Sequence, residues 1–138
     1  MIVNVNFLAV LVSVIASMII GALWYSPVLF GKAWMKLSKI NPQTIKQSQK
    51  KGMWKAYLGT FIGLFVMGYV LSHIIAYAQA HTLLGGITAG VWVWIGFIAP
   101  VMLGSIFWEQ KPITLYVINV AHYLVVLIIM GGILGVWH

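Results

Sequence analysis

The chain has 138 residues, 62% of them hydrophobic and only 7% charged, with a mean hydropathy of +1.02. A soluble domain carries about 25% charged residues to keep its shell wet, so this composition excludes a water-facing globule and calls for a surface that faces lipid. With no cysteine in the chain, disulfides, thiolate zinc sites, iron–sulfur clusters and cysteine nucleophiles are all excluded, and the redox compartment is left unread.

A helix that crosses a hydrocarbon core of about 30 Å needs roughly 20 apolar residues at 1.5 Å each. Residues 5–25 are the first run to meet this requirement. No positive residue precedes the run, and no small-x-small cleavage site followed by a polar chain ends it, so it reads as a retained span and not a signal peptide. Ala9, Ser13, Ser17 and Gly21 recur every four residues along it, the small-residue pattern that lets helix backbones approach closely in lipid.

The run ends in GALWYSPVLFGKAW, where Trp24 and Tyr25 mark a headgroup boundary and Ser26–Pro27 is a cap-and-proline helix start. In the long connection 26–53, Phe30, Trp34 and Leu37 recur at i, i+4, i+7, while Lys32, Lys36 and Lys39 recur at the same spacing on the opposite face. That pattern predicts an amphipathic helix in the headgroup plane, with Trp34 and the three lysines in contact with anionic lipid headgroups. Asn41–Pro42 repeats the cap-and-proline start, so a second, more polar helix is predicted up to Gly52.

Three further runs follow, at residues 54–77, 84–108 and 113–137. All are continuously apolar without alternation, which argues for helices and against a barrel. The turns AQAHTL and EQKP are short, so the second, third and fourth spans form neighbouring antiparallel pairs. Gly59 and Gly63, Gly86 and Gly90, and Gly131 and Gly135 offer one small-residue pair per helix, without revealing whether each pair serves contacts within the chain or between chains. Pro100 interrupts the third span and is positioned to kink it and free carbonyls near mid-membrane. The fold expected is therefore all-α: a single membrane domain over residues 1–138, with four transmembrane helices and a cytoplasmic-side interfacial amphipathic helix.

The net charge of +7 comes from eight lysines and one acid, Glu109. The lysines fall after the first or the third span, whereas the N-terminus, the 78–83 turn and the C-terminus carry none. Positive charge beside spans is an orientation signal, so both termini are expected outside and the lysine-bearing loops in the cytoplasm of a prokaryotic plasma membrane. The expected partner of this charge is a bilayer with anionic headgroups and not a nucleic acid.

Ionisable groups at membrane depth are where function is sought first. His122 is the deepest, and Tyr116, Asn119, His122 and Tyr123 fall within about a third of the helical circumference. The arc reads either as a hydrogen-bonded clamp between helices or as a proton relay or solute site. Glu109, at the inner end of the third span, reads as a headgroup-level ion pair or as an inner-mouth charge that binds or gates a cation. His73, His81 and His138 lie on the outer side without HxxxH or HxH spacing and without an acid, so no metal and no cofactor is expected.

GALWYSPVLFGKAWMKL near the start, together with WVWIGFIAPVMLGSIFWEQKPITLYVINVAHYLVVLIIMGGILGVW at the end, resembles the small membrane-protein family catalogued as domain of unknown function 1761. The resemblance covers nearly the whole chain and implies a four-helix integral membrane protein, without an activity, substrate or catalytic residue. An enzyme is not expected, since one carboxylate and no cysteine leave little for acid–base or nucleophilic chemistry. The function expected is that of a homo-oligomeric channel or transporter for protons, ions or a small polar solute. The alternative is a structural or partner-binding membrane subunit whose protein partners the sequence does not name.

Overall fold

Four helices are long and apolar enough to cross a membrane: Phe7–Trp24, Trp54–Tyr77, the interrupted helix Leu83–Phe107 and Ile113–Val136. They are seen in a computed structural model that describes residues 2–138, and among these residues no strand occurs. The protein is an all-α, multi-pass membrane protein. Its chain order is α1 (Phe7–Trp24), α2 (Gly31–Leu37), α3 (Pro42–Lys50), α4 (Trp54–Tyr77), α5 (Leu83–Val93), a π-helical turn (Trp94–Ile98), a 3-10 turn (Val101–Leu103), α6 (Gly104–Phe107) and α7 (Ile113–Val136).

Local chemistry sets the helix starts. Asn6 accepts from the Ala9 N–H at 3.1 Å to cap α1, Asn41 accepts from the Gln43 N–H at 3.0 Å to cap α3, and Thr82 accepts from the Gly85 N–H at 2.9 Å to cap α5. The start predicted at Ser26–Pro27 is displaced. The Ser26 hydroxyl donates backward to the Leu23 carbonyl at 2.7 Å, and the Ser26 carbonyl accepts from Leu29 and Gly31, so the chain makes a tight turn and α2 begins only at Gly31. A side chain on Gly31 would collide with the Tyr25 and Ser26 carbonyls, which is why this turn takes a glycine. Within α2 the predicted split is kept by Lys32 and Lys36, exposed, and Trp34 and Leu37, half-buried; Phe30, expected on the apolar face, precedes the helix and is 38% exposed, and Lys39, at φ 56°, lies past its end.

The third span breaks at Pro100, as its sequence suggests. Proline lacks the N–H of a regular helix, and the chain passes through the π turn before it and the 3-10 turn after it. The Ala99 carbonyl freed by this change accepts the Tyr116 hydroxyl of α7 at 2.7 Å.

α7 is the hub. In its most apolar stretch 50% of the residues are buried within the protein, against 6% in the third span, which lies at the periphery. α5 packs on α7 backbone to backbone: a Cβ on Gly86 would meet the Gly131 carbonyl, one on Gly90 the Leu127 carbonyl, and one on Gly135 the Thr82 carbonyl. The glycine pairs of the third and fourth spans thus serve each other within one chain. On the other flank, Ala9, Ser13 and Ser17 are fully buried where α1 meets α4 and α7, with Gly68 of α4 close enough that a Cβ would sit 3.3 Å from Val10 Cγ1. The Ser13 and Ser17 hydroxyls donate to the Val10 and Ser13 carbonyls at 2.7 Å, so neither brings an unpaired polar atom into that contact. Gly59 and Gly63 differ from all of these, because a Cβ at either would find open space.

The contrast is measurable. Gly131→Ala drives a methyl into the Gly86 carbonyl and is expected to cost about 3 kcal/mol, the upper range for overpacking, whereas Gly63→Ala is expected to change stability by less than about 0.5 kcal/mol. Unfolding of each variant by a denaturing detergent, followed by circular dichroism, reads both values.

Candidate functional site

The half of α7 nearest the lysine-rich side gathers donors from two neighbouring spans. The Trp24 indole N–H donates to the Ile118 carbonyl at 3.0 Å, and the Trp94 indole N–H donates to the Val120 carbonyl at 2.8 Å. The Tyr25 hydroxyl donates to Asn119 Oδ1 at 2.8 Å. Burial, with the Tyr123 phenol beside it, pushes the Tyr25 hydroxyl up to about 12, so it remains a protonated donor at any physiological pH. Trp34 of α2 stands edge-on to the Tyr25 ring at 5.5 Å and Phe30 packs on Trp24 at 4.8 Å, which joins the amphipathic helix to the same cluster.

His122 sits inside this aromatic frame. Its ring lies 5.2 Å from Tyr25, 6.2 Å from Trp24 and 4.9 Å from Tyr123, and only 9% of the residue is exposed. Neither ring nitrogen has a hydrogen-bond partner. Gly21 of α1 makes room for the ring, since a Cβ there would stand 3.3 Å from Nε2. An imidazole carries one donor and one acceptor when neutral, and leaving both unmet in a buried place costs about 1–3 kcal/mol per group.

The His122 ring, its two nitrogens buried in the wall, lines a cleft of about 880 Å³ between α1, α4 and α7. Ser17, Gly21, Tyr25 and Tyr123 wall it on one side, and Lys55, Gly59, Thr60 and Gly63 on the other. Toward the lysine-free side, Val10, Val14, Leu71, Val126, Leu127 and Met130 are almost wholly buried and form an apolar plug. The arrangement can therefore hold a molecule from one side against the His122 and Tyr123 rings.

With the fold and the cleft in view, comparison with known proteins adds one match. The profile of the family described as "Protein of unknown function (DUF1761)" covers residues 8–135, from the first turn of α1 to the last turn of α7. The chain belongs to the DUF1761 family. Neither the curated proteins nor the solved structures provide a match. The family description carries no activity, so any chemistry of this DUF1761 protein is argued from its own side chains.

The residues singled out from the sequence do not stay together. Tyr116 turns toward the third span and is occupied by the Ala99 carbonyl, Asn119 is occupied by Tyr25, and only His122 and Tyr123 of the four reach the cleft. Glu109 lies exposed past α6 in a shallow depression with Trp108 and Ser105, away from His122. On the lysine-free side, the His81 and His138 rings lie 4.4 Å apart, tilted by 40°, and His73 Nδ1 donates to the Tyr69 carbonyl at 2.9 Å. Among the described residues no group of three potential metal ligands converges.

Four contributors to the DUF1761 cleft have other meanings in the sequence. Tyr25 reads as an interface marker, Lys55 as an orientation charge, and Gly59 and Gly63 as a packing stripe. Spacing along one helix cannot separate a glycine face that meets a neighbour from one that walls a cavity, because the difference lies in the helix opposite.

Tyr116→Phe removes one interhelical hydrogen bond at the proline break. Its expected cost is about 1 kcal/mol, typical of such bonds between membrane helices, with hydrogen exchange rising in the 94–103 segment. Both are read by detergent unfolding and exchange mass spectrometry.

Proposed function

We propose that this DUF1761 protein is a non-enzymatic transporter that handles protons, ions or a small polar solute at His122, with the lysine-rich side in the cytoplasm of a prokaryotic plasma membrane. The observation that carries the reading is a buried imidazole with both nitrogens unpaired, on a ring that lines a cleft of about 880 Å³. A ring in that state can accept and donate a proton or hydrogen-bond a solute. The apolar plug beyond the cleft favours a carrier, in which the pathway changes its open side, over a standing pore. One four-helix subunit has few walls for a central route, so assembly of several copies belongs to the same reading. Lys32, Lys36 and Lys39 project away from the bundle, where they suit anionic headgroups, and Trp34 anchors their helix to Tyr25.

A structural subunit is the second reading. It is favoured by the Tyr116–Ala99 and Tyr25–Asn119 bonds, which make two members of the polar arc into interhelical clamps. Proteoliposomes separate the two. Under the transporter reading, purified protein dissipates an imposed gradient of protons, sodium or potassium, or takes up a small polar solute, and His122→Ala abolishes this with the assembly mass unchanged. Absence of flux for every gradient and solute tried, or an assembly that dissociates on His122→Ala, favours the structural subunit.

Orientation has its own check, and the absence of cysteine makes it clean. Gln47→Cys is expected to react with a membrane-impermeant maleimide only after the cells are opened, and Ala78→Cys in intact spheroplasts.

A further inference from the structure

Gly59, Thr60 and Gly63 are exposed although they lie within a membrane span, so the α4 wall of the cleft opens sideways into hydrocarbon. A lateral opening at that depth admits molecules already dissolved in the bilayer. The polar groups inside are unequal and separated by level. Lys55, on the first turn of α4, is the one charged side chain in the lining and stands at the lysine-rich mouth. His122 lies level with Gly21, which is one helical turn, about 6 Å, deeper than the Trp24–Tyr25 headgroup belt. Below it the walls are mainly apolar, with Met18, Leu64 and Met67 beside Gly63.

This sequence of a cation, then a hydrogen-bonding ring about one turn down, then an apolar groove mirrors an ester phospholipid read from its head inward. A phosphate meets the ammonium, an ester carbonyl accepts from the imidazole N–H, and an acyl chain lies along the glycine face. A neutral polar solute leaves Lys55 unused, and a simple ion leaves the groove empty. No acid lines the cleft, so no carboxylate competes with the lipid phosphate for Lys55, whose ammonium rests 5.7 Å over the exposed Trp54 ring.

We propose that the cleft between α1 and α4 is a binding site for one anionic ester phospholipid, with Lys55 on its phosphate, His122 on an ester carbonyl and Gly59 and Gly63 against its chain. The proposal rests on the cleft as a ligand site and not on net transport, so a protein without flux can still retain lipid.

The test uses the full-length protein in nanodiscs and in detergent, with native mass spectrometry to count retained lipid. The probes are phosphatidylglycerol, phosphatidylcholine of the same chains, and the diether analogue of phosphatidylglycerol. Wild type is expected to retain phosphatidylglycerol about fivefold better than phosphatidylcholine, the contribution of one lysine near an anionic lipid, and Lys55→Gln to remove that preference. The diether analogue, which lacks the carbonyls, is expected to bind about fivefold more weakly than the ester lipid, and His122→Phe to bind both alike. Gly63→Leu fills the groove and is expected to lower retention about tenfold or more. Its thermal midpoint and assembly mass are expected to stay unchanged, because the added side chain starts in open space; Gly59→Leu serves as the second such variant. Equal retention of phosphatidylglycerol and phosphatidylcholine by wild type overturns the proposal. So does undiminished retention by both leucine variants, and so does a fall in assembly mass with either, which makes the occupant a second copy of the chain. Flux measured on the same preparations reads the transporter reading separately.

Discussion

Where α5 crosses α7, the carbonyl of Gly86 occupies the space that a side chain on Gly131 would need, and the carbonyl of Gly131 does the same to Gly86. Apolar side chains gain little from leaving lipid for one another, so association here draws on dispersion between closely spaced backbones. This contact fixes how the third span lies against the hub. It also turns the indole of Trp94 toward the Val120 carbonyl and brings Ala99 within reach of Tyr116. The break at Pro100 is thus accommodated by groups that the glycine contact has already placed.

The other flank of α7 is built by a different rule. α1 and α4 approach closely toward the lysine-free side, where Ala9, Ser13 and Gly68 allow it, and part toward the lysine-rich side, where Gly59 and Gly63 face nothing. The cleft is the space left by that divergence. His122 stands at the level where the helices part, and its two unpaired nitrogens mark a place where polarity is maintained without an internal partner. Among the described residues the only other buried side-chain nitrogen without a partner is His81 Nδ1, on the lysine-free side.

Much of the architecture is legible in the sequence because it follows from one-dimensional properties. Run length marks the four spans, the turns AQAHTL and EQKP make the later ones antiparallel, and lysine spacing separates the faces of α2. The start of α2 differs because the Ser26 hydroxyl can either accept from the next helix's amides or donate to the previous helix's carbonyl, and the Gly31 contact with Tyr25 selects the second. The site is less legible. A helical wheel places Tyr116, Asn119, His122 and Tyr123 on one arc, but an arc of about a third of a circumference spans the contact zones of two different neighbours. Tyr116 therefore meets the third span while His122 meets the first. Lys55 and the two open glycines join the site only through the placement of α4 beside α1, which no periodicity within either helix encodes.

The hub is also the last of the four spans in chain order. A chain emerges N-terminal end first, at about 5–20 residues per second, so the earlier spans reach the bilayer before the helix that most of them pack against. α1 and α4 share a contact of their own and can pair at once, whereas α5 waits with Gly86 and Gly90 uncovered. Consolidation of the bundle is in this sense a closing event, in which α7 slides between partners already resident in the membrane and the aromatic frame around His122 forms last.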